Sequence, residues 1–237
     1  MNDIWNFQSE DFPFELFSAS HIIAVILMVC LIFLLFFYRK RLSDVGRGVV
    51  KWGLVTVLMI GEIYFQLWYV INGAWSLTVN LPLQLCSISL YLCIFMLLFK
   101  NQFIFECAFF SSMTGSFVAM ITPELFFGYP HIRFFQFFSI HAAIVLSCLY
   151  MVWVEGFTVR FSTVIKSFLA LNVIAAMVYV VDRILDANYM FLVRKPVNPG
   201  LIDYLGEYPW YLLSLEGITF FLFIILYIVF KLERKWN

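Results

Sequence analysis

The chain has 237 residues, of which 63% are hydrophobic and 13% charged, with a formal net charge of zero. Together with a mean hydropathy of +0.93, this composition excludes an ordinary soluble domain and implies repeated apolar stretches long enough to cross a bilayer. Spans and short loops take up nearly the whole length, which leaves no room for a separate soluble catalytic domain of roughly 100 residues. The sequence carries no basic patch that would point to nucleic acid.

The N-terminal stretch carries Asp3, Glu10, Asp11 and Glu15 and lacks the basic leader of a cleaved signal peptide, so the first span is expected to be retained. Its aromatic segment from Phe12 to Phe17 suits the headgroup layer. Apolar runs at about 20–38, 52–71, 81–99, 103–121, 132–154, 161–181 and 209–230 then predict about seven transmembrane helices. These form a single all-α, polytopic domain over residues 1–237. The loop after the first run holds Arg39, Lys40, Arg41, Arg47 and Lys51; with Lys100, Arg160, Lys166, Lys231, Arg234 and Lys235 it places 11 of the 15 basic residues on one side. That side is expected to be cytoplasmic, with the N-terminus outside and the C-terminus inside.

On the second helix Glu62 and Gln66 share a face at the i, i+4 spacing. The third is expected to begin at Pro82, which suits a first helical position because its missing N–H has no intrahelical partner there. Cys86, Ser89 and Cys93 share one face of it, and Lys100-Asn101 marks a tight turn at its far end. Ser111, Ser112, Thr114, Gly115 and Ser116 let the fourth helix approach its neighbours closely, so it is expected near the centre of the bundle. Glu106, near its start, is expected to reach headgroups or Lys100. Arg133, Phe137 and His141 line one face of the fifth, and the sixth and seventh bring Asn172 and Glu216. The connection over about 182–208, with Pro196, Pro199 and Gly200, is long for a compact bundle. Its Asn188–Leu192 stretch is apolar enough to lie on the interface and to cap the outer end of the bundle.

Ionisable groups in hydrocarbon demand a partner or a purpose. Cys86 lies roughly 6 Å past Pro82 and His141 roughly 12 Å past Arg133 at about 1.5 Å per residue, so the two are expected at similar depths in the outer half of the bilayer. A thiol needs a base within reach to become a nucleophile, and His141 is the candidate. Glu62, Gln66, Glu216 and Asn172 are candidates to orient the imidazole or line a polar pocket. Gln84 or Ser87 would donate to a developing oxyanion. His21, His131 and Arg133 are candidates for lipid head groups, with snorkelling as the competing role for Arg133. The three histidines fit no metal-ligand spacing, and neither a metal nor a cofactor is expected. The residues by themselves leave open a second reading, a non-enzymatic transporter or binding protein for a lipid or small solute, with the intramembrane charges along its path.

Four segments carry a family resemblance: Leu81-Pro82-Leu83-Gln84-Leu85-Cys86-Ser87; Tyr129-Pro130-His131-Ile132-Arg133-Phe134-Phe135-Gln136 leading to His141; Asn188-Tyr189-Met190 with Lys195-Pro196; and Leu205-Gly206-Glu207-Tyr208-Pro209-Trp210-Tyr211. In this order they resemble the bacterial YwaF-like integral membrane family, which is similar to a eukaryotic transmembrane acyltransferase of ether phospholipids and, more distantly, to androgen-induced hydrolases of fatty-acid esters. The resemblance implies a multi-pass protein of a bacterial cytoplasmic membrane, with phospholipids and lysophospholipids as partners. It also implies a cysteine that takes an acyl chain as a thioester with help from a histidine, at the positions of Cys86 and His141. Gln84 stands where many relatives carry a histidine.

Overall fold

A computed structural model of the protein describes residues 4–7, 11–196 and 201–236. Asp3, Glu10, Pro199 and Gly200 lie outside the described residues. Seven α-helices follow one another: α1 Ala19–Tyr38, α2 Asp44–Ile71, α3 Leu85–Phe99, α4 Gln102–Ile121, α5 Ile132–Trp153, α6 Phe161–Leu185 and α7 Trp210–Trp236, and no strand forms among the described residues. Six are long and apolar enough to cross a membrane. The exception is α3, whose 15 residues span about 22 Å at 1.5 Å each, short of a hydrocarbon core of about 30 Å.

Two boundaries depart from the sequence expectation for physical reasons. α2 starts at Asp44, not near 52, because Ser43 accepts a hydrogen bond from Gly46 N and an acid occupies the first turn. Its first two turns are too polar for a hydropathy window to include. α3 starts at Leu85, and Pro82 sits in a turn before it instead of at the first helical position. A contact from far along the chain, described below, holds that turn open. The tight turn after α3 does form. Lys100 adopts a left-handed conformation with φ +48° and donates to Met96 O, and the Asn101 side chain accepts from Phe103 N at 2.8 Å to start α4.

The chain divides into two compact units, Met1–Trp75 with Ser116–Gly156, and Ser76–Gly115 with Phe157–Asn237. In the first, α5 packs on α1 and α2. Gly61 permits the closest approach, since a Cβ there would lie 2.6 Å from Ile140 Cδ1. The N-terminal segment is tied back by hydrogen bonds from Phe14 N to Phe126 O at 3.1 Å and from Gly128 N to Phe12 O at 2.6 Å. Gly128 is required here, because a Cβ would meet Pro13 O at 2.5 Å. In the second unit α6 packs on α7, and Phe109, Phe110, Phe223 and Phe230 interlock as an aromatic core.

Burial differs widely from helix to helix. In the most apolar stretch of α4 and of α5, 56% and 61% of residues are buried, against 6% in α7 and 17% in α1. The small residues of α4 explain its place: Ser111, Ser112 and Ser116 are all buried, and a Cβ on Gly115 would lie 3.1 Å from Leu85 at the start of α3.

Candidate functional site

The surroundings of Cys86 begin with Tyr189. Its hydroxyl donates to Leu77 O at 2.8 Å and accepts from Leu81 N at 2.9 Å, so one oxygen pins the turn on which Pro82 sits. Tyr189 N donates in turn to Asp182 Oδ1 at 2.9 Å. The ring is buried against Val178 and Ala187, with Leu81, Leu83 and Ile88 packed around it. The Asn188–Leu192 stretch is therefore not simply an interfacial segment: its tyrosine is 1% exposed. Met190 and Phe191 hold φ of +54° and +57°, a left-handed pair without glycine that persists only where surrounding contacts fix it.

Gln84 is the N-cap of α3, but its side chain makes no capping bond. It accepts from Met190 N at 2.9 Å instead. The amide oxygen thus holds the 189–192 segment and makes no capping bond to the first turn of α3. Cys86 is the second residue of that helix and half-buried, and Ser87 follows, also half-buried. Ser89 and Cys93 on the same face are buried.

His141 lies in the other unit, on α5, and is buried. Its Nδ1 is 2.7 Å from Phe137 O. A carbonyl only accepts, so Nδ1 carries the proton of the neutral ring and Nε2 carries the lone pair. The Phe137 ring covers it with centroids 4.1 Å apart.

The remaining polar residues fall into pairs. Gln66 Nε2 donates to Glu62 Oε1 at 2.9 Å, and the Gln66 oxygen accepts from Trp75 Nε1 at 2.8 Å. Asn172 Nδ2 donates to Glu216 Oε2 at 3.0 Å across α6 and α7. Glu106 pairs with Lys166 and not with Lys100, because α6 brings Lys166 alongside while Ser167 bonds Glu106 O at 2.7 Å.

Of the three residues expected at head groups, two give their ring nitrogens to the backbone. His21 accepts from Phe17 N at 3.0 Å through Nδ1 and donates through Nε2 to Met120 O at 2.9 Å. His131, the N-cap of α5, accepts from Arg133 N at 3.1 Å and donates to Asn6 O at 2.9 Å. Arg133 differs: it rests on Phe65, with 4.4 Å from Cζ to the ring centroid, and donates to Gln136. Sequence reasoning missed Tyr189, Tyr64 and Gln136. Only Gln136 had a readable signal, its i+3 position from Arg133.

Six helices long and apolar enough to cross a membrane define a multi-pass helical membrane protein. The chain belongs to the TMEM164 family, whose model matches residues 16–227. No curated protein and no solved structure matches it.

Proposed function

We propose that this protein is an integral membrane lipid acyltransferase that works through an acyl-thioester on Cys86. The observation that supports this reading is the place of the thiol: the first turn of α3, where the N-cap side chain is turned away to Met190 N. The N–H groups of a helix N-terminus favour a thiolate and an adjacent oxyanion. On the sequence, the general base is assigned to His141, whose Nδ1 donates to Phe137 O in the neutral ring. A general base takes the thiol proton as sulfur attacks the ester carbonyl of a phospholipid. The lysophospholipid leaves with that proton, and a second lysophospholipid hydroxyl then attacks the thioester. Water in place of the second lysophospholipid makes the protein a hydrolase. Transfer is preferred because a nucleophile within hydrocarbon is poorly supplied with water.

The asymmetry of Lys and Arg supports an outside N-terminus and a cytoplasmic C-terminus, and the resemblance to the YwaF-like proteins supports a bacterial cytoplasmic membrane. A carrier for a lipid or small solute is the rival reading, and it would use the Glu62–Gln66 and Asn172–Glu216 pairs. The test offers the purified protein an alkyne-tagged phospholipid donor and looks for label released by neutral hydroxylamine. Label in wild type that is lost in Cys86→Ala and reduced in His141→Ala is the expected result. Absence of label in wild type across several donors would refute the thioester and favour the carrier.

A further inference from the structure

Arg133, in the first turn of α5, is a cation inside a span with no carboxylate in contact among the described residues. Nη1 donates to Gln136 Oε1, while Nε is buried with no acceptor. Glu62, whose carboxylate also accepts from Gln66, and the hydroxyls of Tyr64 and Tyr69 are within electrostatic range of it, with Glu62 beyond ion-pair distance. The guanidinium lies over Phe65 and 5.6 Å from the Trp68 centroid. Those rings attract a cation without neutralising it.

A second polar group nearby is also unmatched. The Tyr64 hydroxyl is buried and has no hydrogen-bond partner among the described residues. Tyr64 forms part of the wall of a cavity of about 400 Å³ with Trp5, Asn6, Leu67, Trp68 and Ile71. Tyr64, Leu67, Trp68 and Ile71 recur at helical spacing on one face of α2, so the wall is a mixed aromatic and aliphatic surface of the size of a small-ligand site. Trp68 is common to both features: it lines the cavity and stands against Arg133. Its indole is fixed by a 2.9 Å bond from Nε1 to Trp5 O.

A guanidinium with a buried Nε that finds no acceptor among the described residues, an orphaned hydroxyl and a cavity lined in part by aromatic rings together lack one component, an anion. We propose that Arg133 and Tyr64 bind a phosphate group, with the aromatic wall of α2 covering the apolar part attached to it. A guanidinium matches phosphate oxygens with two parallel donors, and the phenol supplies a third. The shared chemistry fits a phospholipid head group or free phosphate. The site is independent of the thioester chemistry, since its test reads binding and not transfer.

The full chain in an uncharged detergent is titrated with short-chain phosphatidylglycerol, with short-chain diacylglycerol as the uncharged control, and separately with inorganic phosphate. Native mass spectrometry reads occupancy, and tryptophan fluorescence reports on Trp68. Saturable binding of the anionic lipid is expected, weakened about tenfold or more in Tyr64→Phe and in Arg133→Lys, because a hydrogen bond to a charged group is lost in each. Inorganic phosphate binding equally well makes the bare anion the ligand, and lipid binding alone assigns it to the head group. Diacylglycerol bound as tightly as phosphatidylglycerol, or Tyr64→Phe binding like wild type, would overturn the site. So would failure of both anions to bind. Tyr64→Phe removes a hydroxyl that has no partner among the described residues, so it leaves the fold intact even where an Arg133 variant does not.

Discussion

Replacing Tyr189 by phenylalanine removes a single oxygen that joins segments more than a hundred residues apart. That oxygen donates to Leu77 O and accepts from Leu81 N. Each hydrogen bond contributes roughly 0.5–1.5 kcal/mol net, and a half-buried N–H left without an acceptor adds to the loss. Leu77 is exposed and its carbonyl regains water, so the sum is about 1–3 kcal/mol. The Met190 amide is the reporter, since its bond to Gln84 Oε1 is untouched by the substitution itself. A loss of 1–3 kcal/mol raises local opening, and with it hydrogen exchange at Met190, by roughly 5- to 150-fold at 1.4 kcal/mol per decade. Exchange measured by mass spectrometry on peptides covering 189–192, in wild type and Tyr189→Phe, gives the ratio directly. A ratio within twofold of unity would refute the idea that the phenol holds this segment against the start of α3.

Alkaline pH acts on the same group. Burial raises the Tyr189 hydroxyl above its ordinary value, so its contribution to stability is complete below about 10 and is lost as pH climbs through the folded value. Thermal stability in detergent should therefore fall above about pH 10, and less steeply in Tyr189→Phe; identical slopes would contradict the assignment. Gly128→Ala places a methyl 2.5 Å from Pro13 O and 3.3 Å from Phe14 Cα, backbone atoms that cannot turn aside. The Phe12–Phe14 segment should detach with loss of two backbone hydrogen bonds, about 1–3 kcal/mol. Limited proteolysis near residue 12 should accelerate accordingly, and an unchanged cleavage rate would show that the chain accommodates the methyl elsewhere.

Helix number and order were legible in the sequence because burial in lipid requires long apolar runs, and such runs are a local property. The Glu62–Gln66 bond was legible for the same reason: helical period alone puts residues four apart side by side. Local rules failed where a distant group intervened. Pro82 has the right chemistry to start a helix, yet Tyr189, 108 positions from Leu81, binds that turn and moves the start to Leu85. Glu106 found Lys166, 60 residues on, in preference to Lys100, because α6 packs beside α4. His21 and His131 read as headgroup ligands until their ring nitrogens are followed to Met120 O and Asn6 O. Composition decided that this chain lives in a membrane as a set of helices. Which polar groups are satisfied and which, like the Arg133 Nε and the Tyr64 hydroxyl, lack a partner among the described residues depends on pairings across long sequence separations, and only packing sets those.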